Sequence, residues 1–170
     1  GLIGMVQPRA DTPRAAPPLF DIGCVGRISE CAETGDGRLL IELTGVKRFK
    51  VARELEVVTP YRQVVADYHE FDEDAAEPAA IATAARAALE ETPRSYLAAN
   101  ELSADWDAVR GADDESLVMT LAAVCPFAPV EKQALLEARD LPARAATLTA
   151  LMTFAQDFGT TPGGGGPRVQ

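Results

Sequence analysis

The sequence of 170 residues predicts an α+β protein in which a β-rich first part is followed by a bundle of helices. Between residues 21 and 51, apolar residues alternate with polar ones, which is typical of half-buried strands. From Pro78 onward they recur at helical spacing, which is typical of amphipathic helices. The acidic stretch 69–77 separates the two patterns and marks where the strands are expected to end.

Residues 21–51 predict a β-hairpin around which the rest of the first part is arranged. Asp36-Gly37 supplies a residue pair that tolerates the positive φ of a tight turn. In the second strand, the apolar residues Leu39, Ile41 and Leu43 alternate with Leu40, Glu42 and Thr44. One side of this strand is therefore expected to be buried. Thr44-Gly45 interrupts the alternation and predicts a bulge or bend.

Further short strands are predicted on both sides of the hairpin. Residues 2–6 are expected to form a buried strand, and the proline-rich residues 7–18 a loop that joins it to the hairpin. After the hairpin, residues 54–58 and 61–68 are each expected to form a strand, with Thr59-Pro60 between them.

The second part predicts a series of helices with recognisable ends. Pro78 suits the first position of a helix whose positive end is favoured by the preceding carboxylates, and Pro93 is expected to stop or kink that helix. Two acidic pairs are expected to cap later helices, Asp105 with Asp107 and Asp113 with Asp114. Further helices are expected to begin near Pro129 and after Asp140, and Gly159 is expected to end the last one.

The net charge of −10 is unevenly distributed along the chain. Residues 1–62 are nearly neutral, whereas the acidic excess lies in the second half. Binding to nucleic acid needs a concentrated positive face, so this distribution disfavours a nucleic-acid-binding protein. A local exception is the basic cluster of Lys47, Arg48, Lys50 and Arg53, which is interpreted as a solvated strand edge.

The sequence contains no recognisable catalytic or metal-binding motif. His69 is the only histidine and lies in the acidic stretch, where a solvated ring is expected. Neither zinc nor calcium spacing is present, so no metal and no cofactor is predicted. Ser95 or Ser116 with Lys47 or Lys132 stays open as a serine–lysine pair, although nothing in the sequence favours it.

Cysteine usage and hydropathy indicate a cytoplasmic protein. Cys24, Cys31 and Cys125 are odd in number and lack CxxC spacing, so they are interpreted as small apolar residues in a reducing compartment. The sequence shows no apolar run long enough to span a bilayer and no basic-then-apolar leader, so neither a membrane protein nor a secreted precursor is expected.

Four segments together resemble the amino-terminal substrate-binding domain of Lon proteases, particularly small stand-alone bacterial proteins built from that domain. They are LIGMVQP, LFDIGCVGRI, ETGDGRLLIELTGVKRFKV and LVMTLAAVCPFAPVEKQALLEARDLPARAATLTALM. The resemblance extends from Gly1 to about Phe158. The family usually begins with another strand and a helix ahead of the first segment, so a longer native chain and an unpaired edge at residues 2–6 are expected.

The resemblance implies a PUA-like β-barrel over residues 1–70, a helical bundle over 71–158 and a disordered tail over 159–170. It also implies a recognition role without catalysis, because the ATPase and protease modules of Lon are absent from this chain. The expected partners are unfolded or degron-bearing polypeptides and a separate protease. No membrane partner is expected.

A groove between barrel and bundle is the expected binding site, with an exposed strand edge that accepts an extended peptide. The candidate contact residues are Tyr61, Tyr68 and Phe71, close to the predicted junction. RNA binding is the alternative hypothesis, because related barrels bind RNA and the second hairpin strand carries the basic cluster. An independent hydrolase is the third.

Overall fold

The computed structural model describes residues 1–9 and 17–158, with only the backbone of Phe158. The chain divides into two compact units, residues 1–77 and 78–170, here called the β unit and the helical unit. The division lies after the acidic stretch, whereas the sequence predicted a boundary at residue 70. Gly159 and the predicted tail lie outside the described residues, as does most of the predicted loop before the hairpin.

The β unit is built on a four-stranded antiparallel sheet with the order β1-β2-β3-β4. Its strands are β1 Leu2–Met5, β2 Ile22–Glu33, β3 Leu39–Leu55 and β4 Gln63–Asp67. A short 3₁₀ helix, His69–Ala75, follows β4 and is called the acidic helix below. Together with the helices that follow, this sheet confirms the predicted α+β class.

The predicted hairpin is formed by β2 and β3, and its turn and bulge are confirmed. Gly37 has φ of 79° and its N–H donates to the Thr34 carbonyl at 2.9 Å, which closes the turn. Val25 pairs with Lys47 and Gly26 with Gly45, so one residue between the two is bulged. β3 then continues unbroken to Leu55, so the separate strand predicted at residues 54–58 is wrong. Pairing with β4 extends β3 as far as Leu55.

Two burial predictions for the sheet are wrong. β1 is exposed along its whole length because it is an edge strand that pairs only with β2. The second hairpin strand does not bury one side near its start, since Leu39 and Ile41 are both exposed. The reason is that this part of the hairpin extends beyond β1 and β4, which pair with other residues.

The core of the β unit is small and centres on Phe49. This side chain is 2% exposed, and its ring lies close to two glycines, Gly4 of β1 and Gly23 of β2. A Cβ atom built on Gly23 would lie 2.9 Å from the ring and 2.6 Å from the carbonyl oxygen of Met5. Only glycine therefore fits at this position, because any larger residue would push the strands apart.

The described part of the helical unit contains five helices. They are α1 Thr83–Ala99, α2 Trp106–Gly111, α3 Asp114–Val124, α4 Pro129–Glu137 and α5 Leu141–Phe158. The predicted caps of α2 and α3 are confirmed: Asp105 accepts from the N–H groups of Asp107 and Ala108, and Asp113 accepts from that of Ser116. The predicted start of α4 at Pro129 is confirmed as well.

The start of α1 predicted at Pro78 is wrong, and so is the stop predicted as one alternative at Pro93. The helix begins at Thr83 rather than at Pro78, because Ile81 is held in the core before it and its N–H donates to Asp114 at 3.3 Å. Pro93 lies inside the helix without ending it. A proline in this position removes one backbone hydrogen bond. Pro93 is fully buried, so its packing compensates for that loss.

One contiguous core holds the helical unit together. Its largest fully buried members are Leu89, Val118, Leu148 and Met152, which come from α1, α3 and α5. Cys125 also lies in this core, and its burial raises the pKa of the thiol to about 11. Cys125 thus fits the interpretation as a small apolar residue, whereas Cys31 is exposed.

Candidate functional site

The clearest candidate site in the β unit is the free edge of β4. Within the described residues, β4 is hydrogen-bonded to β3 on one side and ends the sheet on the other. Val65, in the middle of the strand, is exposed. Tyr61 precedes the strand and Tyr68 follows it, so two of the three predicted contact residues flank this edge. An unpaired edge of this kind presents backbone groups that can pair with another chain.

Tyr61 lies in the turn between β3 and β4 and is 63% exposed. Its backbone carbonyl accepts a hydrogen bond from the Thr59 hydroxyl at 2.7 Å, which leaves the ring uninvolved in the turn. The ring lines an open depression of about 410 Å³ together with Val57 and Pro60. Arg62 fixes the end of this turn, because its guanidinium donates to Glu54 at 2.6 Å. The depression can receive an apolar side chain next to the start of β4.

Tyr68 is 39% exposed and lies at the other end of β4. Its ring is 6.0 Å from the ring of Phe49, and the ammonium group of Lys47 lies 5.9 Å from its centroid. The ring is thus held by the sheet on one side and accessible on the other. Such a fixed aromatic side chain loses little conformational entropy when a partner binds.

Phe71, the third predicted contact residue, is 7% exposed. It lies in the acidic helix, and the guanidinium carbon of Arg48 lies 4.8 Å from its ring centroid. Its ring belongs to the small core of the β unit. The structure therefore brings Tyr61 and Tyr68 to one exposed edge and places Phe71 under a covering arginine.

The acidic helix neutralises most of the basic cluster of β3. Three ion pairs connect them, Lys47 with Asp72 at 2.8 Å, Arg48 with Asp74 at 2.6 Å and Lys50 with Glu70 at 2.6 Å. The hydrogen bond and the charge of Lys47 hold the pKa of Asp72 below its ordinary value. The hydrogen bond and the charge of Glu70 raise the pKa of Lys50.

These ion pairs correct the interpretation of the basic cluster as a solvated strand edge. β3 is an interior strand, and Arg48 is buried beneath the acidic helix. Each of the three paired cations has a carboxylate partner within its own unit, so they do not form a free positive surface for phosphates. The spacing of Glu70, Asp72 and Asp74 is a signal that could have indicated this pairing.

Contacts within the described residues support neither a metal site nor the pairing of Ser95 with Lys47. Within the described residues, no group of three or more histidine, cysteine or acidic side chains is arranged to hold a metal ion. The Ser95 hydroxyl donates to the side-chain oxygen of Gln156 at 3.0 Å, and Lys47 pairs with Asp72.

Comparison with known protein families decides the classification of this fold. Residues 2–153 match the family model of the ATP-dependent protease La (LON) substrate-binding domain. The chain belongs to this family. The match includes both the sheet of the β unit and nearly all of the helical unit, and the resemblance found in the sequence is thereby confirmed.

Solved structures of Lon domains share the fold of this chain. A Lon N-terminal domain protein from Xanthomonas campestris has a TM-score of 0.56 at 17% identity, with 88% of this chain and 89% of that chain covered. The N-terminal domain of the Mycobacterium avium complex Lon protease has a TM-score of 0.54 at 16% identity, with 90% of each chain covered. No curated protein matches this chain. Among the described residues, no helix is long and apolar enough to cross a bilayer.

The sequence patterns did not predict a second exposed surface of this Lon substrate-binding domain. Leu39 and Leu40 follow the hairpin turn and are 65% and 68% exposed, on adjacent positions of β3. Apolar residues at adjacent positions point to opposite sides of a strand. The run of three apolar residues at 39–41 was the available signal, because a half-buried strand alternates.

Proposed function

We propose that this protein is a recognition module without catalytic activity of its own, which binds unfolded or degron-bearing polypeptides in extended form along the β4 edge. The observation that carries the proposal is the exposed edge strand flanked by two accessible tyrosines, in a chain of the Lon substrate-binding domain family. Peptide recognition by strand addition uses such an edge. Backbone hydrogen bonds provide affinity that does not depend on sequence, which suits unfolded substrates.

The dimensions of the β4 edge define the bound segment. β4 has five residues. At a rise of about 3.4 Å per residue it is about 17 Å long, so it pairs with a peptide of comparable length. Alternate side chains of the peptide then face the same side of the sheet, where one can enter the depression beside Tyr61 and another can contact the ring of Tyr68. Val57 and Pro60 offer the depression an apolar contact, while Glu56 and Arg62 also line it, so it suits an apolar side chain or the aliphatic part of a longer polar one.

Bound polypeptides would be passed to a separate protease, since the family is defined by a domain of a protease. The proposed compartment is the cytoplasm, where the exposed thiol of Cys31 would stay reduced. The ion pairs of the basic cluster give no support to RNA binding as the main function.

Substitution of Tyr61 tests the proposal. The Tyr61→Ala variant is expected to weaken binding of α-casein, an unfolded protein, by about fivefold or more, as removal of an aromatic interface residue does. Binding is measured by isothermal titration calorimetry with the full chain. The thermal stability of the variant is expected to be unchanged, because the Tyr61 ring is exposed.

Two controls separate strand addition from nonspecific adhesion. Phe154→Ala removes an exposed ring from the helical unit and is expected to leave casein binding unchanged. An eight-residue apolar peptide with N-methyl groups at successive backbone positions has no N–H group on either edge to donate to β4 and is expected to bind more weakly than the unmodified peptide. Equal binding by all variants and both peptides would contradict the proposal.

A further inference from the structure

The end of the β2–β3 hairpin is a two-stranded arm, residues 29–43, that no other strand of the described chain accompanies. β1 pairs with β2 only as far as Arg27, and β4 pairs with β3 only from Lys50 onward. The last backbone contact from the side is the Ile28 N–H to the Gly1 carbonyl at 3.0 Å. A hairpin of two strands is only marginally stable in water without a cover. The arm thus has two open edges and two open faces.

One face of the arm combines apolar and acidic side chains. Glu30 is directly opposite Glu42, and Ala32 is directly opposite Leu40. Side chains alternate along each strand, so these four residues share one face, which we call the acidic arm face. Leu40 is 68% exposed, and no lysine or arginine of the described residues forms an ion pair with either glutamate.

The opposition of Glu30 and Glu42 is unfavourable for the isolated hairpin. Like charges directly opposite on an antiparallel pair destabilise it. The Ser29 hydroxyl donates to Glu42 at 3.5 Å, which is a weak neutral contact and leaves the repulsion in place. A cation between the two carboxylates would remove the repulsion and leave Leu40 beside it for an apolar neighbour.

We propose that the acidic arm face binds a basic, apolar polypeptide segment in extended form, with a lysine or arginine between Glu30 and Glu42 and a large apolar residue against Leu40. Residues two apart on a strand lie on the same side, so the segment alternates these side chains with others. Charge selects this partner: the acidic arm face carries Glu30 and Glu42, whereas Glu33 lies on the other face, and Arg38 is paired with Asp36 at 3.3 Å. This surface is separate from the β4 edge.

A second copy of the chain is the less suitable occupant. Two copies related by a twofold axis would place the same surface against itself. The glutamates of one copy would then face the glutamates of the other, which increases the repulsion instead of removing it. Charge complementarity therefore favours a partner of opposite charge.

Fluorescence anisotropy with labelled octapeptides tests this proposal on the full chain. The probe alternates lysine with valine, and the two comparison peptides alternate glutamate with valine and lysine with serine. The lysine–valine peptide is expected to bind most tightly. The affinity is expected to fall when the salt concentration is raised from about 50 mM to about 300 mM, because the contact is exposed to screening.

Two variants and a matched control locate the binding surface. Glu30→Gln with Glu42→Gln is expected to weaken binding about tenfold while raising the melting temperature, since it removes both the cation site and the cross-strand repulsion. Leu40→Ser is expected to weaken binding of the lysine–valine peptide but not of the lysine–serine peptide. Glu73→Gln with Glu77→Gln removes the same charge from exposed positions of the same unit and is expected to leave binding unchanged.

Three results would overturn the proposal. The first is equal loss of binding in the arm variant and in the control variant, which would show a nonspecific charge effect. The second is equal binding of the glutamate–valine peptide. The third is a dimer in sedimentation experiments that Leu40→Ser abolishes, without peptide binding by the wild type. The fold loss of lysine–valine affinity caused by Glu30→Gln with Glu42→Gln is expected to be the same in a Tyr61→Ala background, so this proposal and the function assigned to the β4 edge can fail separately.

Discussion

Arg48 is the side chain on which the β unit depends most. Its guanidinium donates to both carboxylate oxygens of Asp74, with Nε at 3.1 Å and 3.0 Å, and its backbone N–H donates to the same carboxylate at 2.9 Å. It also covers the ring of Phe71. One residue therefore fixes the acidic helix to β3 by charge, by hydrogen bonds and by packing. Both partners of the ion pair are largely buried.

Replacement of Arg48 by methionine is expected to destabilise the β unit by about 3 to 5 kcal/mol, because it leaves the Asp74 carboxylate buried without its cation. Native-state hydrogen exchange of the full chain measures the loss at the amides of β3 and β4. Arg53→Met changes an exposed arginine of the same strand, for which an effect below about 0.5 kcal/mol is expected. Equal effects of the two substitutions would show that the buried ion pair does not hold the unit together.

The acidic helix acts as an electrostatic cover of the sheet. Its carboxylates at alternate positions meet three cations of one strand, and the helix is interrupted at Phe71, whose ring points into the core. The element is too short and too acidic to be stable alone. Its position therefore depends on the charge state of its carboxylates.

Low pH is expected to weaken the attachment of the acidic helix to the sheet. The pKa shift of Asp72 gives the direction of this effect. Its pKa lies below the ordinary value of 3.8, chiefly because of the hydrogen bond from Lys47. Asp72 therefore contributes stability that is complete above the ordinary pKa and is lost as the pH falls through the lower, folded-state pKa. The difference in stability between wild type and Asp72→Asn is expected to shrink as the pH is lowered from neutral into that range. Urea denaturation at a series of pH values measures it, and a constant difference would contradict this account.

Buried apolar side chains are unevenly distributed between the helical unit and the β unit. The contiguous core is drawn entirely from the helical unit, from Ile81 to Met152, whereas the β unit has Phe49 and Phe71 as its buried large apolar residues within the described chain. The β unit relies on hydrogen-bonded pairing and ion pairs instead. The two units are therefore expected to differ in their resistance to denaturation.

A fragment of residues 78–158 is expected to fold alone, with a cooperative thermal transition followed by Trp106 fluorescence. In this fragment Leu148→Ala is expected to lower the free energy of unfolding by about 2 to 5 kcal/mol, because it leaves a cavity in a fully buried site. Val130→Ala alters an exposed residue and is expected to change it by less than about 0.5 kcal/mol. A fragment without a cooperative transition would show that this core is insufficient.

The sequence predicted the turns, bulges and helix caps more accurately than it predicted which residues are buried. The Asp36-Gly37 turn, the bulge near Gly45 and the aspartate caps depend on local backbone chemistry, so short patterns identify them. The helix start at Pro78 and the stop at Pro93 were mispredicted because burial of Ile81 and Pro93 in the core overrides the local preference of proline for helix starts and ends. Burial of β1 and of the hairpin depends on which strands lie beside them, which no local pattern contains.

The candidate site was only partly predictable for the same reason. Tyr61 and Tyr68 were selected because they lie close to the predicted junction of barrel and bundle, and they flank an edge strand in the structure. Phe71 could not be distinguished from them by sequence, since its burial results from Arg48, a residue 23 positions earlier in the chain. Neither the identity of an edge strand nor the pairing of distant charges is encoded in adjacent residues.

The length of β3 has a consequence for how this protein can evolve. The strand has 17 residues, and its first part is in the exposed arm, whereas its middle is paired with β2 and carries the buried residues Arg48 and Phe49. Mutations at the free end can alter partner preference at little cost to folding, while those around Arg48 and Phe49 are constrained by selection for stability. A single strand thus offers natural variation and directed evolution a region for acquiring new specificities beside one that must be preserved.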